Sequence, residues 1–208
     1  MFNKCLDLIY PPTCLHCKEG LCAHAIFCPD CLTQFTLLSD EGRCQKCFAE
    51  IDQMKGTCPP CRKKRHPYKR LASCFENHGP AQTLLSTFWK HKEWGFAKEL
   101  ASYLVVQLDQ LAYPPPDLIT FVPELFSSAP KILSREVSLL LSLPLVALLG
   151  RHIRPEPAFF FKNRCNIVGK SVLLISMETS TRQTITNAAS TLQEGEPETI
   201  FGITLCAS

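Results

Sequence analysis

Eight of the thirteen cysteines fall in four Cys-x-x-Cys pairs, and the second half of the set repeats the first at a shift of thirty: Cys14, Cys17, Cys28 and Cys31 become Cys44, Cys47, Cys58 and Cys61. A Cys-x-x-Cys turn puts two sulfurs on one side of a tight backbone knuckle, and two facing knuckles supply the four soft ligands of a tetrahedral zinc site. Two zinc knots are therefore expected in the first third of the chain. A cross-braced arrangement would interleave the pairs. The tandem repeat favours sequential pairing, because a unit carrying all four of its own ligands folds without its neighbour. Pro29 and Pro59 recur in register and support duplication.

Heavy cysteine usage also suits a disulfide scaffold. The opening residues, Met-Phe-Asn-Lys-Cys-Leu-Asp-Leu-Ile-Tyr-Pro-Pro, lack a long apolar stretch and a small-residue cleavage site, so they do not read as a secretory signal. A cytoplasmic protein with reduced thiols is expected. Phe2, Leu6, Leu8 and Ile9 read as a short amphipathic turn against the zinc module, and no apolar run reaches membrane-spanning length. Cys22 falls outside the register as a spare thiol; His16 and His24 are expected beside the knots. Cys74, Cys165 and Cys206 stand in apolar contexts and are expected to be buried. Four thiolates per ion leave no open position for water, so the expected zinc is structural and its binding energy is folding energy.

Residues 1–61 carry five basic and seven acidic side chains, residues 62–70 six basic and none acidic, and residues 71–208 eleven and twelve. Each four-thiolate zinc adds about −2, which brings the formal +3 near −1. The positive charge is thus concentrated in Arg62, Lys63, Lys64, Arg65, Lys69 and Arg70. Such a run contacts phosphates, offsets neighbouring thiolates, or forms a solvated linker. The expected organisation is a double zinc-ribbon module over 1–61, a basic linker over 62–70 and a globular domain over 71–208.

In that domain apolar periodicity takes over. Helical spacing runs from Pro80 through Leu84, Leu85, Phe88, Phe96, Leu100, Leu104 and Leu108 to Pro114, with Gly95 a candidate interruption. Helices are also expected over 131–143 and 184–192, and strands over 118–122, 145–149, 172–175 and 199–205. Strands alternating with helices imply an α/β fold with a mainly parallel sheet covered on both faces. Ligands would bind beyond the carboxyl ends of its strands.

The order of segments resembles the ComF family, associated with natural competence and DNA uptake. The resemblance rests on the tandem cysteine module, then Leu71-Ala-Ser-Cys-Phe-Glu-Asn-His-Gly-Pro, Phe88-Trp-Lys-His-Lys-Glu-Trp-Gly, Phe121-Val-Pro and Ser171-Val-Leu-Leu-Ile. It implies a Rossmann-like domain of the type I phosphoribosyltransferase kind, binding phosphoribosyl pyrophosphate with magnesium where the site is active. In that site two adjacent carboxylates hold the ribose hydroxyls and a Thr-Thr-Gly-x-Thr loop wraps the 5′-phosphate at a helix N-terminus. Here Ser176 and Met177 stand in place of the acids and Arg182 in place of the glycine, while Ser180, Thr181 and Thr184 keep the hydroxyls. Arg182 could itself pair with phosphate. Glu124 and the run from Leu125 to Ser128 bring no basic group to the pyrophosphate side before Lys131.

Three readings follow. The leading one is a ComF-like protein whose transferase-like domain is non-catalytic and serves as a scaffold or weak phosphate binder among DNA-uptake proteins, with Ser180, Thr181, Arg182 and Thr184 as vestigial phosphate contacts and no catalytic residue. The second is an active transferase with a rearranged site, in which Glu178 replaces the acid pair and magnesium is used. The third is a zinc-ribbon binder of single-stranded DNA through Arg62, Lys63, Lys64, Arg65, Lys69 and Arg70 together with Lys90, His91 and Lys92. Trp89 and Trp94 would stack on bases there, although tryptophans at helical spacing more often pack against a core.

Overall fold

The thirty-residue repeat recurs in the backbone. A computed structural model of the chain describes residues 11–21, 25–153, 158–162, 165–178 and 182–207 and, of Glu178 and Arg182, the backbone alone. Each cysteine unit opens on the same knuckle. Lys18 N–H donates to Cys14 O at 3.0 Å and Phe48 N–H to Cys44 O at 2.9 Å, while Cys14 N–H reaches Glu19 O and Cys44 N–H reaches Ala49 O. Lys18 and Phe48 both take positive φ, 66° and 60°. Two side-chain-bearing residues in this sparsely populated region, thirty apart, mark a turn that the knuckle imposes. Each unit then reaches a short helix begun by proline, α1 (Pro29–Leu32) and α2 (Pro59–Lys63), where the fixed φ of proline suits the first turn. The second unit adds two-residue strands, β1 (Arg43–Cys44) and β2 (Lys55–Gly56).

The second part of the chain folds around a four-stranded parallel sheet. Its strands are β3 (Arg70–Glu76), β4 (Leu118–Phe121), β7 (Ser171–Glu178) and β8 (Thr199–Ala207), in the order β3-β8-β7-β4. Between them run α3 (Gly79–Trp89), α4 (Ala97–Gln110), α5 (Ala129–Leu141) and α6 (Arg182–Leu192), and an antiparallel hairpin of β5 (Leu149–Arg151) and β6 (Phe159–Phe161). The interruption expected at Gly95 is a 3-10 turn, Trp94–Phe96, between α3 and α4. The two central strands are buried on both faces and alternate between two cores up to Leu205, as the two-residue period of a strand requires. Leu173, Ile175 and Met177 of β7, with Phe201, Ile203 and Leu205 of β8, face the core shared with α3, α4 and α5. Val172, Leu174 and Ile200 face the core shared with α6 and the hairpin. Gly202 lies where a methyl group would collide with Leu71 and press on Ile185.

The cysteine module is welded to this sheet. Cys14, Phe27, Cys28 and Cys31 belong to the same buried cluster as α3, α4 and α5, and Phe27, Phe35, Phe75 and Tyr103 form a chain of ring contacts across the junction. The second quartet keeps a small cluster of its own with Ala49 and Ile51. The segment between the two units and the second knuckle also lie along the outer edge of β3: Leu38 N–H donates to Cys74 O at 2.9 Å and Leu71 N–H to Lys46 O at 2.8 Å. The buried Gln107 amide clasps both chains, donating to Leu38 O and Ser73 O. Arg43 adds an ion pair to Glu76 and stacks over Phe48.

Several local expectations need correction. β3 begins at Arg70, inside the stretch read as linker. The strand expected over 145–149 divides: Leu145 makes one parallel bridge to Ile119, and β5 starts only at Leu149 because the chain turns away into the hairpin. Cys74 and Cys206 are buried, but Cys165 is exposed. Phe2, Cys22, His24, Ser180 and Thr181 lie outside the described residues, as do Leu6, Leu8 and Ile9. Among the described residues no helix is long and apolar enough to cross a membrane.

Candidate metal centres and a strand-end cleft

The knuckles bring the cysteines together in sequential quartets. One is Cys14, Cys17, Cys28 and Cys31, the other Cys44, Cys47, Cys58 and Cys61, and within each the sulfurs lie within 4.8 Å of one another. Tetrahedral Zn–S bonds of about 2.3 Å require sulfurs about 3.8 Å apart. The Cys17–Cys28 and Cys47–Cys58 separations, both 3.6 Å, fit that requirement and are far too long for disulfides. Each quartet could hold one zinc ion with every position filled by protein.

Electrostatics point the same way. Burial raises the thiol of Cys14, but backbone N–H groups of Cys28, Cys17 and His16 outweigh it and lower the group to about 6. Cys44 sits at about 6 for the matching reason, with burial opposed by the N–H groups of Cys47, Cys58 and Lys46. Cys31 and Cys61 move far upward, through burial and then through the sulfurs around them. Four crowded thiols cannot all ionise without a cation among them, and a divalent ion reverses that penalty. His66 stands behind the second quartet, Nε2 at 3.0 Å from Cys61 Sγ and the ring stacked on Tyr68. Burial, then Lys46 and Lys64, depress its basicity, and its Nε2 shares a hydrogen bond with the sulfur. Orientation of a ligand from behind in this way is the usual support for a metal site. The sequence reading passed over His66 because it lies inside a run notable for charge.

That basic run is split by the fold. Arg62, Lys63, Lys64 and Arg65 are exposed at the end of α2, with Arg62 Nε donating to Thr57 O. Lys69 lies over the Phe201 ring. Arg70 turns inward, its guanidinium donating to Leu111 O at 2.8 Å and covering the Tyr113 ring at 5.2 Å.

The second site is a cleft of about 540 Å³ beyond the carboxyl ends of β4 and β7. Val122 and the turn 124–127 follow β4, Ser176 lies near the end of β7, Thr184 sits in the first turn of α6, Arg151 comes from the hairpin, Trp89 ends α3, and Lys90 and Lys92 follow it. Three cations thus converge from two distant segments. Glu124 is the acid among the described lining residues, and its Oε2 accepts a 2.7 Å hydrogen bond from the Trp89 indole. Trp94 instead packs edge-on against Phe88 beside the core. Phe126, 90% exposed, stands at the rim. Ser176 and Met177, the two positions at which the sequence resemblance implies an acid pair, point to opposite faces of β7: Ser176 lines the cleft, while Met177 is 1% exposed inside the helical core. Of the four residues expected to contact phosphate, Thr184 lines the cleft; the Arg182 side chain is not described.

No family model matches the chain, and no curated protein matches it. Similar solved structures are phosphoribosyltransferases. A purine phosphoribosyltransferase from Pyrococcus horikoshii aligns at 13% identity with a TM-score of 0.42, over 55% of this chain and 85% of that one. The hypoxanthine phosphoribosyltransferase of Trypanosoma cruzi aligns at 17% identity and a TM-score of 0.37, over 57% and 69%. The hypoxanthine-guanine enzyme of L. donovani aligns at 9% and 0.35, over 56% and 68%.

Proposed function

We propose that this chain is a ComF-like cytoplasmic protein of DNA uptake or processing whose strand-end cleft binds a phosphorylated ligand without transferring its phosphoribosyl group. In this reading residues 1–61 are a double zinc ribbon with two structural ions, 62–70 a basic connection that begins in α2 and ends on the first residue of β3, and 71–208 the ligand-binding domain. The observation that carries it is the end of β7. A pair of carboxylates gripping a ribose must face one ligand, but Met177 is committed to the core and Ser176 alone faces the cleft. Lys90, Lys92 and Arg151 remain to attract phosphate. Titration with phosphoribosyl pyrophosphate and magnesium should show weak binding that neutralising Arg151 abolishes, with no pyrophosphate released. Pyrophosphate release, lost on Glu178→Gln, would overturn the reading in favour of an active transferase with a rearranged magnesium site.

The exposed run Arg62 to Arg65 favours single-stranded DNA as a further partner. Neutralising these four residues should then reduce the salt dependence of DNA binding. Unchanged binding would remove the contact surface.

A further inference from the structure

A second cavity, of about 390 Å³, lies between the first cysteine knuckle and the outer face of α3, on the other side of Trp89 and Lys90 from the strand-end cleft. The knuckle supplies Lys18, the turn before α3 supplies Asn77, and the helix supplies Gln82 and Ser86, with Lys90 and His91 beyond its end. Every charged group among the described lining residues is a cation. No carboxylate is among them. Leu15 and Leu85 give it limited apolar surface, and the Gln82 amide and the Ser86 hydroxyl line it as neutral polar groups, so it suits a polar guest.

The walls are held in place. His16 Nδ1 meets Thr83 Oγ1 at 2.8 Å and ties the knuckle to the helix. Lys18 is fixed by its own backbone bond to Cys14 O, and its ammonium spends one of three donors on Leu15 O at 2.9 Å. The two remaining donors, the Lys90 ammonium and the neutral side chains between them suit an anion with several acceptor oxygens on a polar body. The volume is at the low end for small-molecule sites and larger than one phosphate needs.

We propose that this cavity is a second ligand site, separate from the strand-end cleft, and that it takes a small phosphate ester of the sugar-phosphate class. The first zinc ribbon then contributes a binding residue, Lys18, as well as a fold. Lys90 borders both cavities. Two anions drawing on one ammonium bind antagonistically.

The test is a two-dimensional amide NMR titration of the full zinc-loaded chain with ribose 5-phosphate. Saturable shifts are expected at Lys18, Gln82 and Ser86. Lys18→Ala should weaken binding about tenfold, the worth of one charge-assisted hydrogen bond, with zinc content and Tm unchanged, and Arg151→Ala should leave these shifts in place. If Lys18→Ala loses zinc, Ser86→Glu decides, since an acid on the helical wall must abolish the same shifts without touching the knuckle. Shifts confined to 124–127 and Thr184, or full affinity in Lys18→Ala or Ser86→Glu, overturn the proposal and leave the strand-end reading standing. The loss of strand-end shifts alone overturns that reading and leaves this one.

Discussion

At the scale of single residues, Met177 decides more about the cleft than any residue lining it. Restoring an acid with Met177→Asp should not create a sugar site. It should destabilise the protein by about 3 kcal/mol or more, because an unpaired carboxyl would be forced into an apolar core. Thermal unfolding and a phosphoribosyl pyrophosphate titration check both halves of that statement. The cysteines give a pH prediction of definite sign. Cys14 and Cys44 lie at about 6 in the folded chain, below the ordinary thiol value of 9.0, so the stability they lend the metal-free protein is complete above that value and is lost as pH falls through 6. Cys17, Cys31, Cys47 and Cys61 lie above it and must surrender protons to a metal. Apparent zinc affinity should therefore fall with acidification by about a decade per pH unit for each proton displaced, as read by competition with a chromogenic chelator. The grouping of the cysteines was legible in the sequence, since each quartet is drawn from a span of eighteen residues. The cleft cations were not. Lys90 and Lys92 follow a helix whose packing brings them to Arg151, some sixty positions away, and no local pattern encodes that meeting.

At the scale of elements, the two ribbons are alike in backbone and unlike in context. The first shares its buried sulfurs with the main core; the second keeps a cluster of four cysteines, Ala49 and Ile51. Cys14→Ser with Cys17→Ser should accordingly lower the melting temperature of the whole protein markedly, and Cys44→Ser with Cys47→Ser, which loosens Lys46 and Phe48 from the edge of β3, should lower it less within the same single transition. Calorimetry distinguishes the two outcomes. The strand and helix pattern of the second part was largely legible because β7 and β8 are continuous apolar runs of the kind that fully buried strands require. β3 was missed: Arg-Leu-Ala-Ser-Cys-Phe-Glu has neither alternation nor β-branched residues, and it is a strand because β8 on one side and the ribbon segment on the other both hydrogen-bond to it. The hairpin was missed for a similar reason. Phe160 rests on Gly150, a contact visible only once the two short strands are paired.

At the scale of the whole molecule, the cysteine module and the sheet share one core and one strand edge. Removing zinc with a strong chelator should speed hydrogen exchange through β3 first, at Leu71 to Phe75, while β7 stays protected between β4 and β8. Simultaneous loss of protection in both strands would show instead that the ribbons hold up the entire sheet. The hydrogen bonds from Leu38 and to Lys46 have a further consequence for anyone who cuts this chain at its apparent border. An uncovered edge strand is a template for pairing with another chain. The fragment 71–208, which looks from its sequence like a self-sufficient enzyme-like domain, would begin with that edge bare and Phe75 stripped of Phe35. It is expected to self-associate on expression, and the place where the sequence changes character is not a place where the protein can be divided.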